Sequence, residues 1–175
     1  MSQLRSLSLV GCLALSACLP PLPERPEVER KPVFDPVAFF TGPTHGEGTL
    51  FQRFAGSRAL RVEGLGTVQP DGSFALDQII TFANGTVESR RWVLTRRDAT
   101  HYSASLSDAQ GDVSADVDGT RFHLKYRIRS PRVYMEQWLD LQPDGRAVLN
   151  QAQITILGIP WARLSESIQK VVVKS

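Results

Sequence analysis

Cysteine is nearly missing from this chain: of 175 residues only Cys12 and Cys18 are cysteines, and both lie in the first eighteen positions. A disulfide framework and a cysteine-based zinc site are therefore excluded for everything downstream. Histidine is also scarce. His45, His101 and His123 stand far apart, and none has metal-ligand spacing. No apolar run approaches the ~18 residues of a membrane-spanning helix, which excludes a multispanning protein. The formal net charge of +2 is too small to point to nucleic acid. Basic residues do recur (Arg90, Arg91, Arg96, Arg97, Arg127, Arg129, Arg132), but no aromatic stripe interleaves with them for base stacking. There is no Gly-x-Ser-x-Gly elbow, no phosphate loop and no His-Glu-x-x-His, so neither a metal nor a cofactor is implied. What is present, 42% apolar and 22% charged residues, suits one globular domain.

The N-terminus carries a positive Arg5, a short apolar stretch from Leu7 to Leu15, and small residues before Cys18. That order makes a secretory signal peptide. Leu15-Ser16-Ala17-Cys18 resembles the bacterial lipobox. The resemblance implies cleavage after Ala17, lipidation of Cys18 and acylation of the new terminus, for instance by palmitate. Several acyl chains anchor firmly where one binds marginally. Leu19 stands where an Asp would resemble an inner-membrane retention signal, which favours the outer membrane, periplasmic face.

Six of the eleven prolines fall between Pro20 and Pro36, interspersed with Glu24, Arg25, Glu27, Glu29, Arg30 and Lys31. Such a stretch reads as an extended, solvated spacer. The expected organisation is a signal peptide at 1–17, a lipidated cysteine and disordered Pro-rich tether at 18–38, and a folded domain at 39–175.

Within the folded domain the pattern has period two. Phe122, Leu124, Tyr126 and Ile128 alternate with Arg121, His123, Lys125, Arg127 and Arg129, as in a half-buried strand with a cationic outer face. Turn signals recur at Pro70-Asp71-Gly72-Ser73, Asn84-Gly85, Asp118-Gly119 and Pro143-Asp144-Gly145. Strands are expected near 46–54, 57–69, 74–83, 86–97, 99–107, 111–117, 120–129, 133–142, 146–157 and 161–171. Gly64 and Gly66 inside one strand suggest a bend or bulge. The segment from Trp161 to Lys170 fits either a helix or a strand; Gly158-Ile159-Pro160 and Val171-Val172-Val173 favour the strand. Hairpin-linked strands in this number leave two edges unless the sheet closes. The expected fold is all-β, an up-and-down antiparallel barrel of about 8–10 strands. Arg121, His123, Lys125 and Arg127 on one outer face are wrong for a membrane-inserted barrel, so a soluble one is expected.

Phe39-Phe40-Thr41-Gly42, Gly46-Glu47-Gly48, Gln52-Arg53-Phe54, Asn84-Gly85, Arg91-Trp92, Leu149-Asn150 and Gly158 resemble a Gram-negative lipoprotein family known as domain of unknown function 3833. Gln52 and Gln137 stand where that family has acidic residues. The resemblance implies a lipid-anchored calycin-like barrel and no established activity. The Gly-rich opening strand is similar in style to lipocalin-type barrels, an analogy of fold only.

By parity, Glu88, Arg90 and Trp92 share a face, as do Glu136, Trp138 and Asp140, and Val148, Asn150 and Ala152. If these faces point inward, Arg90 and a carboxylate meet inside the barrel beside two indoles and form a polar ligand site. The alternative is an outward cross-strand ladder. The candidate ligand-binding residues are Arg90, Trp92, Glu136, Trp138, Asn150, Phe82 and Tyr126, with a cavity wall of Phe74, Leu76, Phe82, Leu124 and Tyr126. No catalytic residue is assigned. The leading reading is a tethered barrel that holds a small apolar or amphiphilic envelope molecule. A structural or assembly lipoprotein working through its outer surface is the alternative. An envelope hydrolase built on Glu88, Glu136 or His45 ranks third.

Overall fold

The computed structural model describes residues 19–128 and 132–172. The expected signal peptide at 1–17, the expected lipidation site Cys18, and Arg129 lie outside the described residues. A short helix, α1 (Pro36–Phe40), precedes ten strands: β1 (Gly42–Gln52), β2 (Gly56–Val68), β3 (Phe74–Phe82), β4 (Val87–Arg96), β5 (His101–Leu106), β6 (Ala109–Asp118), β7 (Arg121–Ile128), β8 (Val133–Leu141), β9 (Ala147–Ile156) and β10 (Ile159–Lys170). Each strand pairs antiparallel with its sequence neighbours, and β1 pairs with β10, from Thr44↔Lys170 to Gln52↔Ala162. The sheet is therefore a closed up-and-down barrel, as the turn spacing implied. The ambiguous C-terminal segment is the closing strand.

Period-two burial follows the sequence pattern. Phe122, Leu124 and Tyr126 point inward, while Lys125 and Arg127 stay exposed. Gly64 and Gly66 do not mark a bulge: the register of β2 runs unbroken against both neighbours. Instead they make room. A Cβ at Gly64 would lie 2.4 Å from Thr44 Oγ1, and one at Gly66 would lie 1.9 Å from the Phe40 carbonyl oxygen. The register shifts occur elsewhere, between Gln110 and Ser114 on β6 and between Pro160 and Ala162 on β10.

One barrel end is stopped by a device whose front part, Phe34 to Ala38, falls in the stretch expected to be spacer. The Asp35 side chain caps α1 by accepting from Ala38 N–H at 3.0 Å, and Pro36 opens the helix where its missing N–H costs nothing. The short helix drives Phe39 and Phe40 into the barrel, where their rings meet edge to face at 4.9 Å. Phe34 completes the stopper against Phe122 at 6.2 Å. Each buried phenyl ring contributes about 1.5–3 kcal/mol. The barrel domain thus begins at Phe34 and not at residue 39.

Ahead of the stopper, residues 19–33 form no regular element and are largely exposed. They do not, however, stand clear of the barrel. The Glu29 carbonyl accepts from Thr120 N–H at 2.9 Å, the Pro26 carbonyl accepts from Arg121 Nη2 at 2.9 Å, the Arg25 guanidinium lies 4.2 Å over the Trp138 ring, and the Pro20 carbonyl accepts from Arg163. The chain forms a strap along the outer wall, running from the open end at Pro20 to the stoppered end at Phe34. Proline-rich backbone suits this course, because it lacks donors but presents acceptors to a wall rich in arginine.

Candidate functional site

The core gathers in two clusters, a large one around Phe74, Phe122 and Leu124 and a smaller one of Leu60, Val62, Ile80 and Phe82. Members of both line a cavity of about 310 Å³. It extends from Phe40 and Phe122 above the stopper to Gln52, Arg58, Glu88 and Asp108 at the opposite end. That volume lies at the lower bound of small-ligand sites. The wall is mostly aliphatic and aromatic, with polar side chains inserted at a few inward positions.

The structure splits the expected site residues. Arg90, Trp92, Asn150 and Phe82 line the cavity. Tyr126 sits behind this wall, edge to face with Trp92 at 6.1 Å, and its hydroxyl donates to Gln137 Oε1 at 3.2 Å. Leu76 and Leu124 line the cavity, whereas Phe74 and Tyr126 are core residues outside its lining. Glu136 and Trp138 do not enter the site. Parity puts Met135, Gln137 and Leu139 inside and turns Glu136, Trp138 and Asp140 outward. On the outer wall Trp138 stacks on its cross-strand partner His123 at 5.8 Å and lies under Arg25, so its apolar surface is covered without burial in the core. Glu136 meets His123 Nε2 at 2.9 Å on the same wall. Strand β8 thus follows the outward-ladder alternative, while β4 and β9 turn their candidates inward.

Arg90 has a carboxylate partner, but not the expected one. Its Nη2 lies 2.8 Å from Asp108 Oδ2, both side chains being largely shielded. Asp108 sits at the β5–β6 turn, a position that reads as solvent from sequence. The second missed carboxylate is Glu166, buried on β10 and accepting from Asn150 Nδ2 at 2.9 Å. The signal for it was present: period two through Leu164 and Ile168 carries Glu166 on the same face. Gly46 and Gly48 on β1 form its cradle, because a Cβ at Gly46 would lie 2.3 Å from Glu166 Oε1 and one at Gly48 would lie 2.8 Å from Glu166 Cβ. Gln78 completes the inner polar set by accepting from Trp92 Nε1 at 2.8 Å.

Burial pushes the Glu166 carboxyl above its ordinary value of 4.5, against the smaller opposing pulls of Asn150 and Arg90. The folded state therefore holds this proton more tightly than the unfolded chain does. Stability is fullest where the group is protonated and declines as pH rises from about 4.5 toward the raised folded value. Glu166→Gln keeps the neutral shape and removes that decline. Urea unfolding at a series of pH values should show the variant gaining on the parent through this window, then holding a constant advantage. A difference between the two that does not change with pH would refute the assignment.

Several cavity-side polar atoms have no hydrogen-bond partner among the described residues. They are the acceptors Asp108 Oδ1, Glu166 Oε1 and Asn150 Oδ1, and the donor Arg58 Nε. Arg58 also donates to Gln52 Oε1 at 2.7 Å and lies 4.8 Å over the Phe82 ring. The groups considered for hydrolysis do not converge. Glu88 lines the cavity mouth and Glu136 the outer wall, while His45 lies on the outside of β1, bonded to Glu63 at 2.8 Å. That bond raises the His45 pKa above its ordinary 6.5. Among the described residues no three His, Cys, Asp or Glu side chains gather to hold a metal.

No curated protein matches the chain. Among solved structures it is similar to the S-type phycobiliprotein lyase CPES from Guillardia theta, with a TM-score of 0.62 and 11% identity over 79% of this chain and 92% of that one. It also matches a redesigned β-barrel, mFAP1, bound to DFHBI, with a TM-score of 0.41 and 9% identity over 77% of this chain and 97% of that one. At such identity the lyase likeness speaks for the barrel fold alone. A family model matches residues 12–170, almost the whole chain, and the chain belongs to the family described as Protein of unknown function (DUF3833).

Proposed function

We propose that this protein is an outer-membrane lipoprotein, anchored through Cys18 on the periplasmic face, whose barrel binds one small amphiphile. The observation that carries the reading is the pairing of an apolar cavity of about 310 Å³ with shielded acceptor oxygens on Asp108, Asn150 and Glu166 that lack protein donors. Buried polar atoms are ordinarily satisfied. A ligand with an apolar body and an N–H or O–H group would satisfy them. Arg90 is not the expected receptor for an acidic head group, because Asp108 already neutralises it. Arg58 at the mouth has no carboxylate within ion-pair reach among the described residues, and is the better contact for a ligand acceptor.

N-phenyl-1-naphthylamine tests the reading, being apolar, neutral and equipped with one N–H. Its emission should rise and shift blue on titration into the acylated protein held in mild detergent, measured against detergent alone. Ala152 is buried and lines the cavity, so Ala152→Phe should fill the space and weaken binding at least about tenfold, or ~1.4 kcal/mol. Circular dichroism checks that the variant keeps its strands. Equal titrations for parent and variant would place the dye on the surface and end the proposal.

A further inference from the structure

We infer that the open end of the barrel is a membrane-docking rim that seats on an anionic bilayer, so that the cavity mouth faces lipid. The inference rests on the anchored-lipoprotein reading above and adds an orientation to it. Two hairpin turns, β1–β2 and β9–β10, lie side by side at this end, joined by Arg53 N–H donating to the Trp161 carbonyl at 2.9 Å. Their tips carry Phe54, 73% exposed, and Leu157, 63% exposed. Both have left-handed backbones, with φ of 66° and 54°.

That combination is unfavourable on two counts. Left-handed backbone is strained for residues with a Cβ, and the β2–β3, β3–β4, β6–β7 and β8–β9 turns place glycine there, at Gly72, Gly85, Gly119 and Gly145. Exposed aromatic and aliphatic tips also leave most of their apolar surface in water. Retained strain at exposed apolar positions points to a use outside the domain. Trp161 packs edge to face against Phe54 at 5.8 Å and is itself partly exposed, as an interfacial indole would be.

The charged residues in and beside these two turns are cations, while the carboxylates of this end, Glu88 and Asp108, belong to the cavity lining. Arg53 lies beside Phe54 with its guanidinium 5.6 Å from the ring, Arg163 follows Trp161 on β10, and Arg132 accepts at its carbonyl from Leu157 N–H. No carboxylate occurs in either turn. Long arginine stems can lie along acyl chains while their heads reach phosphates, and each cation near an anionic surface contributes about 1 kcal/mol. The strap supplies the third argument. Leu19 and Pro20 lie in a groove with Phe51, Arg53 and Phe54 at this hairpin. Consecutive Cα atoms are ~3.8 Å apart, so acyl chains attached just before Leu19 would enter the bilayer at this rim. A tether that stood free could have let the barrel tumble above the membrane. One laid along the wall holds the mouth down.

The test uses the full acylated protein reconstituted into phosphatidylethanolamine–phosphatidylglycerol vesicles whose lipids are brominated near the glycerol backbone. Bromine should quench a large share of the tryptophan emission. That share should vanish in Trp161→Phe and persist in Trp138→Phe, since Trp138 stands on the lateral wall. Phe54→Gly combined with Leu157→Gly should relieve the backbone strain and raise the melting temperature, yet lower the quenching by about half or more. This pair keeps the proposal testable whatever Trp161→Phe does to folding. Protein that floats with the vesicles but shows no Trp161-dependent quenching overturns the rim and leaves the anchor standing. Protein that does not float overturns both. A photo-cross-linker at position 54 that captures a protein in place of lipid also overturns the rim.

Discussion

Phe34→Ala is expected to lower the unfolding free energy by about 3–5 kcal/mol, the usual cost of emptying a phenyl site in a core. For a domain of this size that is a fall in melting temperature on the order of 10 °C. Phe34 is 2% exposed, its N–H donates to the Gly119 carbonyl at 2.7 Å, and its ring closes a group with Phe39, Phe40 and Phe122. Val33, one residue earlier, is exposed, so Val33→Ala serves as the control with an expected change within about 0.5 kcal/mol. A spacer would tolerate both changes equally. Thermal unfolding followed by circular dichroism decides between the two, and a Phe34→Ala curve that overlays the control would dismiss the stopper.

The second large effect is steric. Gly66→Ala places a methyl carbon 1.9 Å from the Phe40 carbonyl oxygen and 2.6 Å from Phe74 Cζ. The first neighbour is backbone and the second a fully buried ring, so neither can yield without moving α1 or the core. A cost of about 3 kcal/mol is expected. Gly72 makes the comparison clean: its φ of 81° strains any side chain, but a Cβ there meets nothing within 4 Å. Gly72→Ala should therefore cost only about 1–2 kcal/mol. Equal losses in the two variants, measured by urea unfolding, would mean that contact between helix and strand does not set the requirement for glycine at position 66.

These two positions also show how far the sequence could be read. Period-two alternation and turn dipeptides located all ten strands, because both signals are local and neither depends on what packs where. The helix stopper escaped notice because Phe34-Asp35-Pro36 continues a proline-rich run, and composition cannot tell a bound strap from a free one. The face of β8 stayed open between inward and outward for a related reason. Trp138 suggested an inward face, although Met135 and Leu139 occupy the opposite parity. An indole is an ambiguous marker, since cross-strand stacking on His123 and cover by Arg25 can shield it outside the barrel. Glu166 and Asp108 were legible only in principle. The parity of Leu164 and Ile168 selects Glu166, but only once the segment is known to be a strand. Asp108 is brought to Arg90 by a turn whose direction no local pattern specifies.

The pairing of β1 with β10 has a consequence for how this chain reaches its native state. Thr44 finds Lys170 only once β10 has been made, whereas every other strand pairing joins neighbours in sequence. Collapse can begin promptly, but ring closure must come last, which makes the final step slow for topological reasons. Until then the glycine-bearing first strand presents a row of unsatisfied amides to its surroundings. In the cell that interval invites holdase protection. Losing as little as the C-terminal strand would leave the chain permanently in its sticky, unclosed form.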